Sequence, residues 1–96
     1  MRRSNDQSIR EILTGIFREP ALRDKLTETQ IRQGWPTWFG TAVARYTDEL
    51  RFSRGTLEVR LNSATLRQEY RLMAERLRDR VNGELGGEPV RKVLVR

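Results

Sequence analysis

The chain has 96 residues, no cysteine and no histidine, and 19 Lys and Arg residues against 13 acids, a formal net charge of +6. This length predicts a single domain spanning residues 1–96. Without Cys or His, disulfides, thiolate metal sites and Ser-His or Cys-His nucleophiles are excluded. No apolar run reaches the ~18 residues of a membrane span, and polar residues follow the basic start. We therefore expect a cytoplasmic protein without cofactor or metal.

Arginine dominates the positive charge, since only Lys25 and Lys92 are lysines. A guanidinium is a planar fork that matches phosphate or carboxylate with two hydrogen bonds, so the bias favours an anionic partner such as nucleic acid. The alternative is compositional, because GC-rich genomes encode Arg where others encode Lys, and most surface Arg is solvated. Composition leaves both interpretations open.

The amino-terminal third predicts two helices after a flexible arm at residues 1–5. The first helix has an apolar stripe at the i, i+3, i+4, i+7 spacing, and it either packs in the core or docks on a partner. Pro20 can occupy the first turn of the second helix, since the residue before proline disfavours helix. The first stripe is Ile9, Ile12, Leu13, Ile16 and Phe17, and the second is Leu22, Leu26 and Ile31.

Gly34 and Pro36 are predicted to interrupt the second helix and to introduce the aromatic segment 35–40. Trp38 and Phe39 are expected in the core with Gly40 beside them, because aromatic residues bury large areas. Trp35, directly before a proline, is the better candidate for exposure and partner contact. A short helix through Ala42, Val43 and Tyr46 should follow.

Residues 50–61 predict a β-hairpin with a tight turn at Arg54-Gly55, where Gly55 can adopt positive φ. Pairing Phe52 with Leu57 also pairs Leu50 with Val59 on the same face. The same register sets Arg51 against Glu58 and Glu49 against Arg60. Because apolar and charged pairs agree in one register, the hairpin is the strongest local prediction.

The remaining residues predict one long helix from a Ser63 cap to Val81 and a last strand over residues 90–95. Asn82-Gly83 and Gly86-Gly87 are both helix-stop signals. We therefore expect an α+β, KH-like fold, in the order helix-helix-helix-strand-strand-helix-strand, with helices on one face of a small three-stranded sheet. The inward stripe of the long helix is Leu66, Tyr70, Met73, Leu77 and Val81, with Ala74 beside them.

Six cations lack an obvious acidic partner in this arrangement and are the candidates for a phosphate-binding surface. The alternative is a solvated face. Gly83-Glu84-Leu85-Gly86 matches a G-x-x-G pattern, but it ends a helix instead of joining two helices. The candidate cations are Arg54, Arg67, Arg71, Arg91, Lys92 and Arg96.

An enzymatic function would depend on carboxylates, Arg, Lys and Tyr. Glu28, Asp48, Glu49 and Glu58 are the acids available, and no spacing pairs two of them in a cleft. Small basic ribonuclease toxins work without His on an α+β scaffold of similar size. Since the last strand here has basic residues and no Tyr, we expect a protein that is not an enzyme.

From about Ile31 to Arg96 the chain resembles the DciA-like family of bacteria. The resemblance begins with Trp38-Phe39-Gly40 and a small-residue helix ending in Tyr46-Thr47. It continues with the hairpin pattern Gly55-x-Leu57-x-Val59-x-Leu61, the Ser-capped helix, the Asn-Gly stop and a Val-rich last strand. The order and spacing of these motifs carry the identification. Some relatives have a zinc ribbon, which a chain without Cys cannot form.

The resemblance implies a KH-like fold, an association with loading or recruiting the replicative DNA helicase, and DNA binding. The first hypothesis is therefore a non-enzymatic replication accessory that contacts the helicase and binds single-stranded DNA weakly through Arg–phosphate contacts. The second is a protein-only interaction module that uses Ile9, Ile16 and Trp35. The third is a ribonuclease, which intact RNA in vitro would exclude.

Overall fold

The computed structural model describes residues 18–96. Within this range four helices and three strands confirm the α+β prediction. The predicted arm at 1–5 and the predicted helix over residues 9–17, with Ile9 and Ile16, lie outside the described residues. The helices are α1 (Pro20–Phe39), α2 (Thr41–Arg45), α3 (Ala64–Leu72) and α4 (Ala74–Leu85), and the strands are β1 (Thr47–Ser53), β2 (Thr56–Leu61) and β3 (Lys92–Val95).

The sheet has the order β1-β2-β3, and its β1–β2 hairpin has the predicted register. Phe52 pairs with Leu57 and Leu50 with Val59. On the opposite face the Glu49–Arg60 ion pair follows the Cα register, and two other ion pairs do not. Glu49 accepts from Arg51 at 2.6 Å and lies 3.8 Å from Arg60, while Glu58 pairs with Arg96 at 3.3 Å.

β3 lies parallel to β2, pairing Lys92 with Thr56 and Val95 with Val59. Because parallel neighbours need a long crossover, the chain passes through α3 and α4 between them. The helices cover one face of the sheet, and the other face keeps its charged residues in solvent. No helix within residues 18–96 is long and apolar enough to cross a membrane. The buried core is Ile31, Trp35, Leu50, Phe52, Leu57, Val59, Leu61, Tyr70, Leu77, Val81, Val90, Val93 and Val95.

Helix α1 runs through Gly34 and Pro36, so the predicted interruption is wrong. Pro36 removes one backbone donor, but packing of the helix face that carries Ile31 and Trp35 outweighs that loss. Gly34 lies under Trp38, whose indole would overlap a Cβ at this position. The helix ends at Gly40, where φ is 95°.

The burial predicted for Leu22 and Leu26 is also wrong, since they are 45% and 40% exposed. At 100° per residue they lie on the opposite side of α1 from Glu28, Ile31 and Trp35, which face the sheet. The buried apolar stripe of α1 therefore begins at Ile31, about two and a half turns after Leu22, where the sequence pattern placed its start.

The predicted long helix is two helices, because Met73 has φ −103° and ψ 16° and separates α3 from α4. Ser63 does cap α3, its Oγ accepting from the Leu66 N–H at 3.3 Å. α4 passes through Asn82-Gly83 and stops at Gly86, which has φ 76°. The predicted inward stripe is confirmed, with Tyr70, Leu77 and Val81 buried and Leu66, Met73 and Ala74 packed against the core.

Polar side chains of α1 cover the outer edge of β1. Asp24 Oδ2 accepts from the Arg54 N–H at 2.9 Å, Glu28 Oε1 accepts from the Phe52 N–H at 3.0 Å, and Arg32 Nη2 donates to the Leu50 carbonyl at 3.1 Å. Four helical residues rise about 6 Å and two strand residues about 6.6 Å, so the two sets of groups stay in register. This contact prevents another strand from pairing with the edge.

Glu28 is the buried acid of this contact, with 7% exposure. Burial raises the pKa of its carboxyl group, but the Phe52 N–H, Lys25 and Arg32 together bring that pKa below its ordinary value of 4.5. Lys25 Nζ and Arg32 Nη2 each lie 3.4 Å from Glu28 Oε2. A lowered pKa means that the ionised carboxylate stabilises the folded chain above pH 4.5, and that this stabilisation is lost as the pH falls through the folded-state pKa.

The substitution Glu28→Gln is expected to lower the free energy of unfolding by about 1–2 kcal/mol at pH 7, since it removes a charge from three hydrogen bonds but keeps an acceptor for Phe52. Urea denaturation of the unsubstituted and the Glu28→Gln proteins at pH 7 and near pH 3 measures this loss of unfolding free energy. The difference between the two proteins should be smaller at the lower pH. The exposed Glu84→Gln is the control. A stability difference independent of pH would contradict the claim that the ionised Glu28 carboxylate stabilises the folded chain.

Candidate nucleic-acid interface

The six predicted cations do not form a single surface. Arg67, Arg71 and Arg96 lie where β2 and β3 end, and we call them the carboxyl-end arginines. Arg54 and Arg91 lie at the hairpin turn, where both strands begin, and Lys92 starts β3 beside them. From Arg91 to Arg96 the chain spans about 16 Å along β3. The sequence left open whether these cations share one surface; in the structure they lie in two groups at opposite ends of β2 and β3.

Arg67 and Arg71 are held by backbone carbonyls at the ends of the two parallel strands. Arg67 Nη2 donates to the Leu61 carbonyl at 3.2 Å, and Arg71 Nε donates to the Val95 carbonyl at 3.1 Å. The Ser63 cap starts α3 directly after β2, so its first turns lie over these strand ends. Spaced four residues apart, both side chains share one face of α3.

Charge at this end of the sheet is only partly compensated. Within residues 18–96 neither Arg67 nor Arg71 forms a salt bridge, whereas Arg96 pairs with Glu58. Because their hydrogen bonds go to neutral carbonyls, no carboxylate among the described residues offsets the positive charge of either guanidinium group. The Nη atoms of Arg71 have no hydrogen-bond partner among the described residues, whereas the Nε of Arg67 also has none but is buried, so an anion would contact Arg67 through its Nη atoms. This arrangement can bind an anion.

Tyr46 is a residue of this region that the sequence prediction placed only in a short helix. Its carbonyl accepts from the Asn62 N–H at 2.9 Å, which places it beside the end of β2. Its side chain is 45% exposed. Exposed aromatic rings along a positively charged groove are the surfaces on which single-stranded bases stack. Only the tertiary structure shows this, because Tyr46 and Arg67 are far apart in the chain.

Arg54 and Arg91 line a separate cleft at the hairpin turn, together with Arg23 of α1. Sequence patterns did not indicate Arg23, since nothing local predicts that the start of α1 meets the turn. Lys92 does not line this cleft; it is exposed on the open face of the sheet. Gly55, with φ 83°, forms the turn itself.

Trp35 is buried, with 2% exposure, so its predicted exposure is wrong. Its Nε1 donates to Thr47 Oγ1 at 3.0 Å, and its ring centroid lies 4.4 Å from that of Phe39. The reason is the continuity of α1, which brings Trp35 onto the same face as Ile31. Trp38 and Phe39 are half-buried and pack against the core.

The junction between α3 and α4 is where a KH domain has its G-x-x-G loop. Here the residues are Arg71-Leu72-Met73-Ala74, without glycine, and Leu72 is 84% exposed. The G-x-x-G match at Gly83–Gly86 closes α4 instead. Within residues 18–96 no three acidic side chains gather as a metal site would require.

Comparison with known proteins agrees with the resemblance noted in the sequence. The family model described as Dna[CI] antecedent, DciA matches residues 8–95. Neither curated proteins nor solved structures gave a match. Since the matched region is nearly the whole sequence, the chain belongs to the DciA family.

Proposed function

We propose that this protein assists the replicative DNA helicase and holds single-stranded DNA weakly through arginine–phosphate contacts at the carboxyl-end arginines. The DciA family is a helicase-associated replication family and not a known enzyme family. The DNA contact is the finer part of the proposal and rests on the geometry of Arg67, Arg71 and Arg96.

A single observation carries the DNA contact: Arg67 and Arg71 are fixed by carbonyls and not by carboxylates. A guanidinium paired with a carboxylate must give up that partner before it binds phosphate. These two groups are already oriented, and binding a phosphate costs them no ion pair. Arg96, which pairs with Glu58, lies at the end of β3, and the exposed Tyr46 lies beside the end of β2. This end of the sheet therefore offers charge and an aromatic ring without base-specific contacts.

Binding should therefore depend steeply on salt and weakly on sequence. Three phosphate contacts on a single strand give a log–log slope of about −2, so affinity should fall roughly twentyfold between 50 and 200 mM salt. Fluorescence anisotropy with labelled oligothymidine and oligodeoxycytidine measures both dependences. Affinity that ignores salt, or no binding at 50 mM, would remove the DNA contact from the proposal.

The protein-only alternative is favoured by one observation, the exposed Leu72 beside Arg71. A large apolar side chain on a helix junction suits contact with another protein. In that case the positive charge serves solubility, and a protein whose Arg67 and Arg71 are reversed in charge still captures the helicase after nuclease treatment. The ribonuclease hypothesis stays a prediction that incubation with RNA tests.

A further inference from the structure

The cleft at the hairpin turn brings together three arginines from three separate parts of the chain. Arg23 comes from α1, Arg54 from the turn and Arg91 from the segment before β3. The cleft has a volume of about 540 Å³, and Asp24, Glu88 and Phe52 also line it. It lies at the opposite end of β2 and β3 from the carboxyl-end arginines.

Arg91 is fixed against the turn by its backbone and by its stem. The Gly55 carbonyl accepts from the Arg91 N–H at 2.7 Å and from the Lys92 N–H at 3.1 Å. A Cβ on Gly55 would lie 3.1 Å from Arg91 Cδ, so the aliphatic part of Arg91 crosses the turn where glycine leaves room. This contact directs the Arg91 side chain into the cleft beside Arg54.

Arg54 occupies an unusual backbone conformation for its residue type. With φ 50° at Arg54 and 83° at Gly55, both central residues of the turn are left-handed. Asn, Asp and Gly are the residues that favour the first of these positions. The Asp24 carboxylate holds the Arg54 N–H at 2.9 Å and so stabilises this conformation. A disfavoured residue kept in a strained position suggests that its side chain is needed there.

The charges in the cleft leave it positive. Within residues 18–96 none of Arg23, Arg54 and Arg91 forms a salt bridge. The two lining acids are Asp24, whose Oδ2 accepts from the Arg54 N–H, and Glu88, so three arginines against two acids leave the cleft with a formal charge of +1. Three guanidinium groups around one cleft suit a phosphate that has three free oxygens and two negative charges. A carboxylate suits the cleft less well, because a single guanidinium satisfies its two oxygens.

We propose that this cleft binds a phosphomonoester, supplied either by the terminal phosphate of a nucleic-acid strand or by a mononucleotide. The inference does not rest on the proposed function, because the carboxyl-end arginines lie about 16 Å away along β3. Its chemistry also differs, since a terminal phosphate carries an additional charge and a further exposed oxygen compared with a phosphodiester.

The test is a titration of the full chain with inorganic phosphate, followed by backbone amide NMR shifts. Saturable shifts should appear at Arg54, Gly55 and Arg91. The substitution Arg54→Gly suits the test because glycine favours the positive φ of the turn and should preserve the fold. It should weaken phosphate binding at least tenfold, and Arg91→Gln should do the same, while Arg76→Gln, an exposed residue of α4 outside both groups of arginines, leaves binding unchanged.

Three further ligands identify the source of the phosphate. Tighter binding of a 5′-phosphorylated oligonucleotide than of both AMP and its 5′-hydroxyl counterpart supports a strand end; AMP binding as tightly as the phosphorylated oligonucleotide supports a mononucleotide. Shifts scattered over the surface, or phosphate binding unchanged in folded Arg54→Gly, would overturn the proposal. Because Arg54→Gly leaves Arg67 and Arg71 intact, failure of the phosphomonoester proposal is distinguishable from failure of the DNA contact.

Discussion

Replacing Trp35 with alanine is expected to lower the free energy of unfolding by about 3–5 kcal/mol. Trp35 is 2% exposed, packs on Phe39 and donates to Thr47, which itself donates to the Val43 carbonyl at 2.8 Å. Removing the indole leaves a cavity between α1 and β1 and unpairs one acceptor. Domains of this size are stable by about 5–15 kcal/mol, so the variant should be close to unfolding at 37 °C.

Urea denaturation followed by far-UV circular dichroism measures this effect. Leu72→Ala is the matched control, because it also truncates a large apolar side chain but one that is 84% exposed, and it should change stability by less than about 0.5 kcal/mol. Trp35→Phe keeps a ring in the site and should cost less than the alanine change. Equal midpoints for Trp35→Ala and Leu72→Ala would mean that Trp35 is not a core residue.

Reversing two charges at the carboxyl-end arginines should reduce DNA affinity far more than any change elsewhere on the surface. For the combined Arg67→Glu and Arg71→Glu protein we expect a loss of roughly 100-fold at 50 mM salt, because two charge-assisted contacts become repulsions. The log–log salt slope should fall by about 1.4, corresponding to two lost phosphate contacts.

A control with the same change in net charge separates a local contact from general electrostatic attraction. Arg76→Glu combined with Arg51→Glu reverses two exposed arginines away from the strand ends and should weaken binding only a few-fold. Since Arg67 and Arg71 also bind strand carbonyls, thermal melting must show that both proteins are folded. Equal loss in the two proteins would contradict a defined site. Helicase capture by the folded Arg67/Arg71 protein tests the protein-only alternative in the same series.

Local patterns determined the parts of the fold whose interactions are local. The hairpin register follows from four cross-strand pairs around Arg54-Gly55, because a slip of one residue would turn Leu50 and Phe52 to solvent. The Ser63 cap and the stripe from Leu66 to Val81 were also predictable, because a helix cap and helix periodicity depend on residues that are close together in the chain. The family motifs lie in this predictable region.

Helix boundaries were less predictable because tertiary packing outweighs weak local signals. Pro36 and Gly34 each disfavour helix. Ile31 and Trp35 are nevertheless both buried completely only if α1 continues through Gly34 and Pro36. Met73 gave no signal for a break, since its local propensity favours helix. Nothing in the sequence indicated that Glu28 would be buried, because its partners, the backbone of β1 among them, are supplied by a distant segment.

The sequence alone determined which functional groups this protein has: many guanidinium groups, no thiol and no imidazole. It also determined a hairpin that is followed by helix and a last strand. Only the tertiary structure decided where the guanidinium groups meet. The residue pattern of β3 is the same whether it runs up or down the sheet, and its parallel pairing with β2 puts Arg91 at the hairpin turn with Arg54, and Arg96 at the opposite end of the strands. Strand direction therefore places the basic residues in two separate groups, a distribution that the sequence left open.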